Sequence, residues 1–307
     1  MKKLLCLFSI FMVVFFFSCK KDNGSPDTKP SASDTLTTTE HVSQDDNNLD
    51  AITLDLEGDV ESFLTQTKSI LTPCNATLDS IKTYGDSTMY FITYNGLSCN
   101  GKFNKFGKVE IKRKTIDHWY NAGCGVTVKE INMTITRTVN NKTVIVNSFK
   151  THRNVSGGLI PQLNGTNHIT HKTTGIINVL FDNTTTKIWN ISKIRTFTGA
   201  FPDSMDMTLT GDGTLGTRNH MLSWGTNRDS EEFFVTGMEP IVFKEKCSWD
   251  PCSGKKKIEI PSDNKGATIT FGYNNQNQPI GPNDCPTKYK LEWWKGNNTG
   301  IVYLYLH

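Results

Sequence analysis

Cys19 is the residue whose surroundings point most directly to chemistry. Lys2 and Lys3 precede an apolar run from Leu4 to Phe17, and Ser18 stands immediately before the cysteine. A positive start, an apolar core and a small residue before a cleavage point make residues 1–18 a signal peptide, with Cys19 as the lipid-attachment residue of the mature chain. The run is shorter than the roughly 20 apolar residues that a membrane-spanning helix needs, and Lys20, Lys21 and Asp22 follow at once. Of the eight cysteines, Cys6 leaves with the signal and Cys19 is taken by lipid, which leaves Cys74, Cys99, Cys124, Cys247, Cys252 and Cys285. In an exported chain an even set of this kind reads as disulfides. Cys247 and Cys252 are spaced more widely than a zinc C-x-x-C pair, and no histidine follows at knuckle spacing. Proximity pairs Cys74 with Cys99, and Cys285 with either Cys247 or Cys252.

Other candidate groups are weaker. His168 and His171 are three apart, so on a strand they point to opposite faces and cannot share a metal without a bend. Asp203 with Asp206 and Glu231 with Glu232 could serve as the carboxylate pair of a glycan hydrolase, but carboxylates in such turns are ordinarily just solvated. Asp45, Asp46 and Asp50 lack the glycine and terminal glutamate of an EF-hand loop. Gly211-Asp212-Gly213 with Gly216 is followed by no helical pattern that would aim a dipole at a phosphate, so it reads as a turn. Nucleophile-elbow, H-E-x-x-H and phosphate-loop signatures are missing, and the sequence calls for no catalytic residue, metal or cofactor. Among the six tryptophans, Trp293 falls on the apolar face of its strand, whereas Trp294 takes the other face beside Glu292 and is the candidate ligand-binding aromatic.

These residues must be positioned by strands. A hydrophobic fraction of 36% with abundant Thr and Asn suits a sheet with one wet face, and a net charge of +3 without an arginine-rich patch gives no reason to expect nucleic acid. Residues 19–48 carry few apolar side chains and read as the lipidated cysteine and a disordered tether. A short helical segment is expected within 49–75, where Leu56, Val60, Phe63 and Leu64, then Ile70 and Leu71, recur at helical spacing until Pro73. Residues 76–307 then read as a β-rich domain, with a possible lobe boundary in the Gly- and Thr-rich stretch 199–232. Asn95-Gly96 is expected to close one strand, Asn140-Asn141 to turn a hairpin, and a β-bulge near Lys129 and Glu130 to bring Val126 and Val128 into phase with Ile131, Met133 and Ile135. Ile301 to Leu306 is apolar on both faces and is expected to be central or tucked against the helix. The fold class is therefore all-β: a large antiparallel curved sheet, half-barrel or sandwich, with one short N-terminal helix.

Ser18-Cys19 after the apolar run resembles the acylation motif of bacterial lipoproteins, and Lys20-Lys21-Asp22 looks like the charged signal that sends some Bacteroidota lipoproteins to the surface. The stretches His171–Gly175, Arg195–Gly199, Cys247–Gly254, Thr268–Tyr273 and Cys285-Pro286 resemble a group of uncharacterised β-rich lipoproteins of Bacteroidota. The resemblance implies an exported protein acylated, for example with palmitate, on Cys19. It would be anchored in the outer membrane, facing either the periplasm or the cell surface. Three function classes remain: a non-enzymatic cell-envelope protein binding a glycan, lipid or protein ligand through a sheet face; a periplasmic carrier of lipid or another hydrophobic molecule; and a glycan hydrolase.

Overall fold

A computed structural model describes residues 32–64, 72–182 and 184–306, with side chains from Ser43 onward. The signal peptide, Cys19 and the first part of the expected tether lie outside the described residues, as do Ile70 and Leu71. One long helix, α1 (Ala32–Leu64), precedes fifteen strands. They are β1 (Ala76–Tyr84), β2 (Ser87–Leu97), β3 (Phe103–Lys114), β4 (Gly125–Arg137), β5 (Thr143–Asn154), β6 (Ile169–Phe181) and β7 (Thr186–Ala200). After these come β8 (Ser204–Gly211), β9 (Gly213–Leu215), β10 (Arg218–Thr226) and β11 (Glu232–Lys244). The chain ends with β12 (Asp250–Ile260), β13 (Lys265–Tyr273), β14 (Lys288–Lys295) and β15 (Asn298–Tyr305).

All belong to one antiparallel sheet, whose order follows the chain from β1 to β7 and then runs β10-β11-β12-β13-β14-β15. The all-β architecture expected from the strand patterns is therefore the one observed, and the Gly-rich stretch 199–232 is built into the same sheet. There β8 pairs with Lys193 to Ala200 of β7, and β10 pairs with Ile188 to Ile191 of the same strand. On the other side both pair with β11. β8 and β10 thus lie end to end in a single lane, and β9 with the start of β10 forms a hairpin inserted between them.

The sheet curls around α1, and the core is the layer between them: Leu49, Ile52, Leu56, Val60 and Phe63 of the helix against inward residues such as Ile111, Val128 and Leu291. The helix begins well before the expected segment: residues 32–48, whose polar composition reads as tether, are its first half. Where its side chains are described the compensation is electrostatic: Asp45 and Asp46, which look solvated in sequence, find Arg228 and Lys256.

Most local readings hold. The Asn140-Asn141 turn joins β4 to β5, with Asn141 in the left-handed region. The bulge lies between Glu130 and Met133, so that Val126, Val128, Glu130, Met133 and Ile135 all face inward; Ile131, expected with Met133 and Ile135, faces out because it precedes the phase change. Gly107 of β3 lies opposite, where a Cβ would come within 2.8 Å of the Asn132 carbonyl oxygen. Two further readings are corrected. Asn95-Gly96 does not end a strand: both residues pair with β3 inside β2, and the chain turns only after Leu97. β15 is not central: among the described residues it pairs with β14 alone, packing Val302 and Leu304 against the core while Ile301 and Tyr305, at the opposite parity, stay exposed.

Gly107→Ala is expected to lower stability by about 1–3 kcal/mol, because both the close approach and a φ of 141° oppose a side chain there. The urea midpoint checks this, and Gly101→Ala, in open space although also at positive φ, should cost less.

Candidate functional site

The interface between α1 and the concave face concentrates the molecule's buried charge. With about 3.6 residues per turn, Leu49, Ile52, Leu56, Val60 and Phe63 form one apolar stripe directed into the sheet. Asp46, Asp50, Glu57 and Glu61 flank it on one side, and Asn48, Asp55 and Asp59 on the other. The outward face carries Ala51, Gly58 and Ser62, all exposed. The helix therefore seats its apolar stripe at the bottom of a trough and grips both walls with carboxylates.

Each wall answers with cations. Lys105 of β3 holds Asp55 at 2.8 Å and also pairs with Asp59, while Arg137 donates to Asn48 at 2.7 Å. On the other wall Arg195 of β7 meets Glu57 at 2.8 Å, and Lys256 of β12 bridges Asp46 at 2.6 Å and Asp50 at 2.9 Å. Lys193 pairs with Asp50, and Arg228 with Asp45. Beneath the helix Lys150 and Glu130 form a buried pair at 2.6 Å. These cations reach the interior because strand parity puts them there: in β7, Lys187, Trp189, Ile191, Lys193, Arg195 and Phe197 all occupy the inward face.

Burial opposes ionisation of Asp50, but Lys193 and Lys256 outweigh it and hold the carboxyl down at about 2. Lys256 is likewise driven above its usual value: burial pulls it down, and Asp46 and Asp50 more than compensate. Near the C-terminal end of the helix the balance reverses. Burial lifts Glu61 to about 7, against the Trp119 indole N–H that donates to it at 2.9 Å, and burial with the nearby Arg195 holds His171 down at about 3. The interface is also incompletely satisfied: Asp46 Oδ1, Glu57 Oε1, His152 Nε2 and Trp189 Nε1 are buried without a protein hydrogen-bond partner.

Four cations at the N-terminal end of this interface rest on aromatic rings. Lys187 lies 5.4 Å from the Trp189 centroid and 4.4 Å from that of Phe233, and Lys193 is 4.7 Å from Trp189. Lys256 is 5.7 Å from Phe271, and the Arg228 guanidinium is 3.4 Å from Phe181. This cation-on-aromatic floor can bind anions and apolar groups side by side. Elsewhere, the outer face exposes Phe149, Ile176, Leu180 and Ile188, and a 210 Å³ pocket over β1 to β3 is lined by Asp79, Lys82, Phe91, Lys108 and Glu110.

The residues singled out by sequence are dispersed. Cys74 pairs with Cys99, and Cys247 with Cys285, at Cα separations of 5.1 and 5.3 Å. Cys124 and Cys252 correct the six-cysteine reading: both are buried free thiols, and Cys252 is directed along β12 toward the Asp250 carbonyl. His171 is buried beside Glu61, while His168 lies exposed just before β6 begins, so the two do not come together. Asp203 is exposed and Glu231 accepts from Lys265, so the two carboxylate pairs stand apart. Trp294 is half-buried on the outer face, its ring against the Gly266 backbone and 5.4 Å from Lys257 Nζ. No group of metal-ligating side chains is present among the described residues, and none of their helices is long and apolar enough to cross a membrane. The concave-face cations were the residues missed. Their signal was Lys and Arg repeating at the inward parity of apolar strands.

No family model matches the chain, and no curated protein or solved structure matches it either.

Two predictions test the electrostatics. Lys150→Met leaves Glu130 buried and unpaired and should cost about 3–5 kcal/mol, whereas adding Glu130→Leu should recover most of that loss in denaturant unfolding. Glu61 binds its proton more tightly in the folded chain than in the unfolded one, so its contribution declines as pH rises from about 4.5 to about 7. Glu61→Gln should therefore gain on the parent chain across that window, by up to about 3 kcal/mol, with circular dichroism of the sheet reporting unfolding. His171, 3.4 Å from Glu61, acts in the opposite sense, its contribution being lost as pH falls from about 6.5 to about 3, so the comparison is cleanest between about pH 6.5 and 7, above the window in which that histidine titrates.

Proposed function

We propose that the protein is a lipid-anchored, non-enzymatic component of the outer membrane envelope, held by acyl groups on Cys19, that binds a ligand on the concave face of its sheet. The first half of α1 is the resident occupant of that surface. The observation that carries this reading is the uneven attachment of the helix. Ile52, Leu56, Val60, Phe63 and Leu64 anchor its C-terminal half by apolar burial, whereas between Ser43 and Asp50 the buried apolar contact is Leu49 alone and the other contacts are polar: Asp45, Asp46 and Asp50 on cations, Asn48 on Arg137 and Ser43 on the Tyr289 hydroxyl. Ion pairs of this kind exchange against another anion with little net change, because desolvation has already offset most of their attraction. The apolar half stays as the hinge.

A second reading, a carrier of lipid or another hydrophobic molecule, is favoured by the aromatic floor of Trp189, Phe233 and Phe271 beneath the same half of the helix. Both readings put the ligand at one site.

Native mass spectrometry of the full chain, released gently from its own host's membranes, should show a bound mass beyond the acyl groups on Cys19. A bare acylated polypeptide overturns the concave-face reading. Separately, Cys19→Ala should abolish incorporation of labelled palmitate and move the protein out of the membrane fraction; retention with label would overturn the anchor.

A further inference from the structure

Four cations converge on the N-terminal part of the helix, and three carboxylates face them. Asp45, Asp46 and Asp50 engage Arg228, Lys256 and Lys193. Lys187 is the surplus cation: it is 2% exposed and makes no ion pair among the described residues. Its ammonium is sandwiched between Trp189 and Phe233, within the field of the same three aspartates. Burying an unneutralised ammonium is costly, and a fold whose purpose at this point were only to hold α1 would be better served by an apolar residue at position 187. Beside it Trp189 Nε1, also buried, donates to no protein acceptor.

We propose that Lys187, Lys193, Arg228 and Lys256, over the rings of Phe181, Trp189, Phe233 and Phe271, form a binding site for the phosphate group of an anionic amphiphile, in competition with Asp46 and Asp50 of the helix. This rests on the concave-face reading and names its ligand class. A phosphate offers more charge and more acceptor oxygens than one carboxylate, so it satisfies Lys187 and the indole N–H together with the three cations that the helix already neutralises. Arg228 presents its planar fork for two phosphate oxygens, and the rings accept the apolar body that a phosphate head group carries. Asp45, Asp46 and Asp50 act as an internal substitute for that anion.

The test is calorimetric titration of the detergent-solubilised full chain with three probes: inorganic pyrophosphate, dihexanoylphosphatidylglycerol and the zwitterionic dihexanoylphosphatidylcholine. Saturable binding of either anionic probe in preference to the zwitterion is expected. Pyrophosphate alone would identify a free phosphate compound as the source, and the phosphatidylglycerol a lipid head group. Lys187→Gln, which leaves every helix ion pair in place, should weaken binding by about tenfold or more. Asp50→Asn should strengthen it several-fold, because it weakens the internal competitor. Opposite shifts in the two variants, each with its thermal transition recorded, cannot come from loss of folding. Failure of both anionic probes, or shifts of the same sign, overturns the phosphate assignment. A native ligand that lacks phosphate does so too while leaving the concave-face reading intact, and a bare polypeptide in the native measurement removes both.

Discussion

The structure depends on the pairing of two rows of helix carboxylates with cations on the concave face of the sheet. Neither side is self-sufficient. Without the sheet, α1 would be a polar helix with several uncompensated negative charges near one another; without α1, the sheet would turn Lys105, Lys193, Arg195 and Lys256 toward an empty trough. Desolvation of so many charges leaves a small net energy, so the ionic contacts contribute register more than adhesion. The adhesive part is the apolar stripe, which is why the two halves of the helix are held in physically different ways.

The same division explains the titration behaviour. Where cations outnumber or match carboxylates, as around Asp50, the acid is held ionised; where Glu61 meets an indole and a neutral imidazole, burial prevails and its proton is retained to near neutrality. A single helix thus has a permanently charged end and an end that titrates near neutral pH.

Much of the sheet was legible in the sequence because strand signals are local. Alternation in β13 and β14, the turn at Asn140-Asn141 and the phase jump in β4 each involve residues within a few positions, and each appears where the pattern puts it. The helix was only half legible. Residues 32–48 hold few apolar side chains, and their fold depends on partners such as Lys256 and Tyr289, more than 200 positions away. No window of sequence contains that information. The candidate site was illegible for the same reason: lysines such as Lys187 and Lys256 look like ordinary surface charges until strand parity is combined with the curvature that closes the trough over them. The two free cysteines were misjudged by parity of number, which says nothing about whether Cβ atoms meet.

The chain-order connectivity of the sheet has a temporal consequence. Most neighbouring strands are joined by short turns, the longer connections being 115–124, 155–168 and 274–287, so pairing can spread along the sheet with little loop entropy at most steps. The helix obeys a different clock. It is the first of the described elements in the chain, yet Ser43 reaches Tyr289 across 246 positions, and Lys256 meets Asp46 across 210. A chain emerging from its N-terminus must hold this acidic segment in solvent until the last strands have assembled, and the segment's polarity is what lets it wait there without associating with other chains. The composition that makes α1 look like a tether is, in this sense, a requirement of being synthesised first and seated last.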